Sequence, residues 1–302
     1  MRIGLIDVDS HNFPNLALMK ISAYHKKLGD QVEWANSLEY FDKIYMAKVF
    51  DEIYTNDDLQ AYQCGELVKG GTGYDLHSKL PDEVETIFPD YSLYNITDTA
   101  YGYLSRGCPR GCPFCIVAEK EGRQSVKVAD LKNFWNGQKE IKLLDPNITA
   151  CSEYFELMEQ LADSKAWVDF TQGLDIRLMT QEKAEALNKV KTKMLHFAWD
   201  DYRDDVTPRK LLEFANVIKG DFRKKRVYVL TNFNSTHEED LMRIYWLRNN
   251  GYDPYVMIYN KPSAKQETRY LQRWCNNKRI FRQVDLFTQY DHQKVKENRY
   301  IL

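Results

Sequence analysis

The chain has 302 residues, 43% of them hydrophobic and 28% charged, which is the balance of a folded globular protein long enough for one large domain or two modest ones. Its 42 Lys plus Arg nearly cancel its 44 Asp plus Glu, so the molecule as a whole has no strong electrostatic reason to seek nucleic acid or anionic lipid. No run approaches the roughly twenty apolar residues needed to cross a bilayer, and the N-terminus reaches Asp7 too soon for a signal peptide. Six cysteines, three of them clustered, do not make a secreted disulfide framework. The expectation is a cytoplasmic protein without a membrane partner.

Residues 2–8 read as a buried strand, followed by the loop Asp9-Ser-His-Asn-Phe-Pro-Asn15. A helix over 16–28 ends at Gly29, a second strand covers 31–35, and further strands fall at 44–50 and 66–69. This is a small Rossmann-like βαβ layout. Gly70, Gly71 and Gly73 close the last strand. They read as a tight turn needing positive φ, because no GxGxxG accompanies them.

From Tyr101 onward, apolar strands alternate with helical stretches, the sign of βα units around a parallel sheet. Six units are expected, with strands at 100–105, 140–145, 167–171, 194–199, 226–231 and 255–259. Their helices fall at 127–135, 152–164, 181–190, 207–219, 237–249 and 264–276. The basic runs Arg223-Lys-Lys-Arg226 and Lys278-Arg279 with Arg282 read as solvated helix ends.

The first of these strands runs into Arg106-Gly-Cys-Pro-Arg-Gly-Cys-Pro-Phe-Cys115. A loop rich in Gly and Pro can bend Cys108, Cys112 and Cys115 toward one point, and thiolates are the usual ligands of iron-sulfur clusters. A closed zinc site asks for four protein ligands; three thiolates on a four-iron cluster leave one iron open. Cys64, Cys151 and Cys275 are isolated and read as small apolar residues, Cys151 being the one placed just after a barrel strand.

The CxxxCxxC spacing, with Phe114 before the last cysteine, resembles the signature of the radical SAM enzymes. The resemblance implies a 4Fe-4S cluster on Cys108, Cys112 and Cys115, with S-adenosylmethionine chelated to the open iron. It also implies reductive cleavage to methionine and a 5'-deoxyadenosyl radical that abstracts hydrogen from a substrate. The six βα units match that family's partial (β/α)6 TIM-like barrel, here over 96–302. Residues 1–95, with their strand, Pro, helix, Gly, strand and later Gly-Gly, resemble the abridged cobalamin (B12)-binding domain found ahead of many such barrels. Residues 80–94 resemble its linker. Asp9-Ser-His11 is similar to the cobalt-ligating Asp-x-His-x-x-Gly loop, but Pro14 stands in place of the Gly. His11 reads as well as a loop histidine bonded to backbone, or as one facing substrate, as it does as a cobalt ligand, and cobalamin, though open, is not favoured.

Ligands of a parallel barrel sit at the carboxyl ends of its strands, which selects the remaining candidates. Asp145 and Asn147 end the second strand, where the family's Gly-Gly-Glu-like motif is absent. Gln172, Asp175 and Arg177 end the third; Arg177 either meets a carboxylate or positions substrate, or pairs with Asp175. Trp199 and Asp200 end the fourth, and the resemblance implies ribose hydroxyls as partners of Asp200. Thr231, Asn232 and Asn234 end the fifth, where relatives meet the adenosyl group. Tyr259 and Asn260 end the sixth. Phe114, Asp145, Asn147, Gln172, Asp200, Thr231 and Asn232 are thus cofactor candidates, and Arg177 and Asp200 catalytic ones.

The expected partners are a small or carrier-bound substrate and a reductant such as flavodoxin or ferredoxin. Two other readings stay open: an iron-sulfur redox or iron sensor without turnover, and a zinc-stabilised nucleic-acid-binding module, against which the near-neutral charge weighs.

Overall fold

The computed structural model describes residues 1–11, 13–57 and 61–296. The protein is of the α/β class, with a small Rossmann-like sheet followed by a six-stranded sheet of the partial-barrel kind. Among the described residues no helix is long and apolar enough to cross a membrane.

The first sheet is built from β1 (Arg2–Asp7), β2 (Gln31–Trp34), β3 (Tyr40–Ala47) and β4 (Gln63–Gly70), paired in parallel in the order β2-β1-β3-β4. Helix α1 (Leu16–Lys27) joins β1 to β2. It starts where the Asn15 side chain accepts from the Ala17 and Leu18 amides, and the chain turns away at Gly29, with φ +82°. Side chains of β1 alternate between two cores. Ile3 and Leu5 pack with Leu18 and Ile21 of α1, while Ile6 packs with Phe41, Ile44 and Met46.

The return from β2 to β3 takes five residues, 35–39, and contains no helix, where a parallel crossover ordinarily needs about a dozen. Gly4 makes the short path feasible. A Cβ at Gly4 would stand 3.0 Å from side-chain atoms of Ala35, Phe41 and Ile44, so its missing side chain is the space the returning chain and its neighbours occupy.

The glycines after β4 serve close approach as well as a turn. Gly71 has φ +94°, and a Cβ at Gly71 or Gly73 would fall 2.4 Å from the Lys48 carbonyl oxygen or 2.3 Å from that of Phe50. The run lies backbone to backbone against residues 48–50, and the Gly73 amide donates to the Lys48 carbonyl at 2.9 Å.

Beyond α2 (Asp82–Glu85), the chain forms β5 (Thr99–Gly102), β6 (Ser105–Arg106), α3 (Val117–Lys120), β7 (Val126–Lys127) and β8 (Glu140–Leu143). Alternation then sets in: α4 (Tyr154–Ser164), β9 (Trp167–Phe170), α5 (Gln181–Leu187), β10 (Thr192–Ala198), α6 (Val206–Phe214), β11 (Lys225–Thr231), α7 (His237–Asn249), β12 (Asp253–Ile258) and α8 (Gln266–Asn276). The six-stranded sheet has the order β12-β11-β10-β9-β8-β5, so each βα unit lays its strand beside the previous one. Val168, Phe170, Leu195, Phe197, Val227, Val229 and Val256 lie fully buried on one face. Asp169, His196, Tyr228 and Tyr255 alternate with them on the other. Helix α7 covers the predicted 237–249, set by a capping box between Thr236 and Glu239.

One expected helix is not there. Residues 127–135 form the end of β7 and a 3-10 turn at Leu131–Asn133, in which Asp130 and Asn133 cap each other. Leu131 and Phe134 are both buried, so the apolar i, i+3 spacing is real, but a 3-10 turn satisfies it as well as an α-helix. Contacts divide the chain into two compact units, Met1–Gly102 with Ala129–Ile141, and Tyr103–Val128 with Lys142 onward. Within the first unit the Tyr91 hydroxyl donates to the Phe134 carbonyl at 2.6 Å and accepts from the Tyr101 amide at 3.0 Å, tying the 3-10 turn to β5.

Replacing Gly4 by Val overpacks the crossing point. The Gly4→Val protein is expected to lose about 1–3 kcal/mol, seen as a lowered midpoint in thermal or urea unfolding.

Candidate functional site

β6 and β7 pair antiparallel as the arms of a hairpin, and the loop between them carries Cys108, Cys112 and Cys115. The loop is pinched at its neck. The Cys108 amide donates to the Gly122 carbonyl at 3.1 Å, and Gly107, at φ +88°, sits so near Gln124 that a Cβ would lie 2.0 Å from its carbonyl oxygen. No other residue fits there. Cys108 and Cys112 are half-buried and Cys115 is exposed. Burial raises the Cys112 thiol above its ordinary pKa, with Asp200 and Cys115 adding to the effect and Arg177 opposing it. Although the residue as a whole is exposed, the protein atoms packed around its sulfur also raise Cys115, and the charge of Cys108 adds to it. The three sulfurs therefore feel one another, and Cys112 feels both Arg177 and Asp200.

Side chains at the ends of β8 and β9 hold the loop in place. Asp145 is buried, accepting from the Leu104 amide at 3.0 Å and from the Ser105 hydroxyl at 2.7 Å, as well as from the Ser105 amide. It fastens the strand that leads into the loop, and burial pushes its carboxyl up to about 6. Asn147, 3% exposed, directs its Nδ2 at Cys108 Sγ, 3.5 Å away, while its Oδ1 is buried without a partner. Its carbonyl accepts from the Ser125 hydroxyl at 2.9 Å. Asp175 bonds Arg110 of the loop at 2.5 Å and Arg177 at 2.8 Å. Burial raises the Asp175 carboxyl, but the two guanidinium groups outweigh it and hold the group below the usual carboxylate range. The Arg177–Asp175 pair weighed from the sequence is thus formed, and Arg177 also stands 3.5 Å from Asp204.

Asp200 is pushed up to about 6 by burial, opposed by Arg243 and then Arg177. Thr231 is fully buried and donates its hydroxyl to the Met257 carbonyl at 3.2 Å. Asn232, in the left-handed region at φ +61°, bonds the Tyr259 carbonyl at 2.8 Å and so joins the ends of β11 and β12. Gln172 is exposed. Trp199 is buried edge-on to Trp246. Phe114 meets Phe233 edge-to-face at 5.5 Å, and Phe233 meets Tyr259 at 5.0 Å, forming an aromatic row from the cysteine loop to the end of β12. The structure thus brings Cys112, Arg177 and Asp200 within electrostatic reach of one another, Asn147 onto Cys108, and Phe114 onto Phe233. Thr231 and Asn232 spend their side chains on neighbouring backbone.

The sequence reading missed Arg243. Its guanidinium is fully buried on α7 and donates to the carbonyls of Trp199 at 2.8 Å, Asp200 at 3.0 Å and Leu230 at 2.8 Å, and to Asp240 at 2.5 Å. A signal was present: Asp240 and Arg243 share the helix face of Ile244 and Leu247, an ion pair placed where only apolar residues are expected. Phe233 was missed because an exposed aromatic after a strand has no pattern of its own.

Among the described residues, no group of three or more His, Cys, Asp or Glu side chains is gathered as ligands to a single metal ion. The donor chemistry does fit a cluster: three soft thiols on one loop, an amide N–H on one of the sulfurs, and an orphaned buried carbonyl oxygen beside it. A four-iron cluster spreads its thiolates over separate irons rather than gathering them on one ion. Cys151 and Cys275 are buried and pushed up by burial to about 11 and about 12, which disfavours their thiolate forms. In the first unit, both Asp9 carboxylate oxygens accept from backbone, the Val49 and Phe50 amides at 2.8 Å each. His11 is exposed at φ +38°.

No family model matches the chain. A stretch of 159 residues, 49% of this chain, is 26% identical to the CDK5RAP1-like protein of Oryza sativa subsp. japonica and covers 24% of that protein. The match spans about a quarter of the curated relative's length. Among solved structures, Streptococcus suis SuiB bound to precursor peptide SuiA aligns with 81% of this chain and 55% of its own, at a TM-score of 0.41 and 14% identity.

Two outcomes are expected from this geometry. Arg243→Leu strands three buried carbonyls and leaves Asp240 without its countercharge, a loss of about 3–5 kcal/mol in denaturant unfolding. Arg243→Lys recovers only part of it, since one ammonium cannot span the donors' fork. His196, buried and stacked on Tyr228, is lowered by burial to about 4 from 6.5. The unfolded chain therefore takes a proton between these values that the folded chain refuses. Stability from this residue is complete above about pH 6.5 and falls by about 3 kcal/mol as pH drops to 4; unfolding midpoints of His196→Gln should show a flatter acid limb.

Proposed function

We propose that the protein is a radical SAM enzyme whose hairpin loop binds a 4Fe-4S cluster through Cys108, Cys112 and Cys115. The observation that carries this reading is the loop itself: three cysteines on one pinched hairpin, steadied by Asp145, Asn147 and Asp175 at the ends of consecutive barrel strands. The similarity to the rice CDK5RAP1-like protein, which is of a radical SAM family, supports it. When bound, cluster and S-adenosylmethionine together supply a 5'-deoxyadenosyl radical, and the chemistry belongs to them rather than to the chain.

The chain's own part is to bind, orient and exclude water. Phe114, with Phe233 and Tyr259 behind it, offers an apolar edge on which a planar ring can rest. Arg177 holds positive charge beside Cys112, favouring the thiolate that binds iron, and is itself oriented by Asp175 and Asp204. Asp200 stands at the same place as a hydrogen-bonding group for ribose hydroxyls, its backbone fixed by Arg243. The orphaned oxygen of Asn147 would accept from a donor of the bound ligand, which would remove the cost of a buried unpaired carbonyl.

The test is anaerobic reconstitution with iron and sulfide, reduction by dithionite and addition of S-adenosylmethionine, with 5'-deoxyadenosine read by mass spectrometry. The wild-type chain is expected to form it and Cys112→Ala to form none. A reducible cluster that cleaves no S-adenosylmethionine would instead favour an iron-sulfur sensor.

A further inference from the structure

We propose that Asn147 is a positioning residue that donates a hydrogen bond to the Cys108 sulfur and thereby raises the reduction potential of the cluster, an inference that rests on reading the cysteine loop as an iron-sulfur site. The geometry is direct. Nδ2 stands 3.5 Å from Sγ, within the longer range that sulfur acceptors take, and the residue is 3% exposed. It is held from two sides: β8 ends just before it, and its carbonyl accepts from Ser125 next to the hairpin arm β7. The backbone that carries the amide is thus fixed on both sides, and its burial leaves the side chain little room.

The physical effect follows from charge. In the one-electron couple of a cluster, an electron arrives from an outside reductant, no bond to the protein breaks, and the added negative charge spreads onto the sulfurs. An N–H dipole aimed at one of them stabilises the reduced state more than the oxidised one. Burial of the donor strengthens the interaction, because little water competes for the Asn147 amide. The unpartnered Oδ1 points the same way: a leucine of similar size would fill this place without burying an orphaned carbonyl, so packing alone does not account for an amide here.

A purely structural Asn147 would change stability and leave the potential alone. The experiment therefore reconstitutes the whole chain, counts iron and sulfide, and follows the reduced signal by EPR through a dithionite titration for wild type, Asn147→Leu and Asn147→Ala. Both variants are expected to keep the wild-type iron and sulfide content with a midpoint shifted to more negative potential. Pulsed EPR of reduced wild-type protein labelled with 15N-asparagine should show a nitrogen coupling that is lost in Asn147→Ala. Unshifted midpoints in fully loaded variants overturn the proposal, as does the absence of the 15N coupling in the wild type, which decides the matter if the variants take up no iron. A wild-type chain that binds no iron and sulfide fails before any titration, and what it overturns is the reading of the loop.

Discussion

A single buried guanidinium governs the geometry at the ends of β10 and β11. Carbonyls at strand ends point out of the sheet with no ladder partner, and in a buried place each demands a donor. Arg243 supplies three of them from one planar fork, reaching Trp199 and Asp200 just past β10 and Leu230 on β11. Asp240, one helical turn earlier, neutralises the charge that this arrangement buries. The rigidity is passed on to what those strands carry: Asp200, held by its own backbone, and Phe233 just past β11. A lysine or an apolar residue could fill the volume but could not satisfy three acceptors set at fixed angles.

The cysteine loop is governed by a complementary rule. It is a hairpin, so its own ladder is only two pairs long, and its position depends on side chains borrowed from the neighbouring strand ends. Asp145 anchors the entry, Asn147 touches the first thiol, and Asp175 holds Arg110 between the first and second cysteines. Each of these residues does its work by hydrogen bonding to the loop. Arg177, Asp200 and the aromatic row led by Phe114 differ from these in that their side chains are not spent on backbone, although Arg177 is paired with Asp175 and Asp204.

Much of the architecture was legible as periodicity. Alternation in β9 to β12 and the capping box of α7 are local signals, and local physics enforces them where they stand. The failures share a cause. Leu131 and Phe134 have helical spacing, yet Asp130 and Asn133 close a 3-10 turn, and the buried Tyr91 hydroxyl, far away in sequence, fixes where that turn packs. The glycines after β4 announced a turn, which Gly71 makes at positive φ, but Gly71 and Gly73 have a further reason in the carbonyls of Lys48 and Phe50, which no spacing rule connects to them. Among the site candidates, Thr231 and Asn232 were placed correctly at a strand end, and their side chains then turned out to bond neighbouring carbonyls.

By itself, the sequence determined the class of fold, the order of strands and helices from β8 onward, and the presence of three thiols on a glycine-rich loop, because each depends on residues close together along the chain. Tertiary structure alone decided which strand-end side chains remain available, that Asn147 faces Cys108, and that Arg243 lies buried at the heart of the strand ends. These depend on which donors and acceptors meet across the sheet, and the demand that every buried polar group find a partner is settled only once the chain has closed on itself.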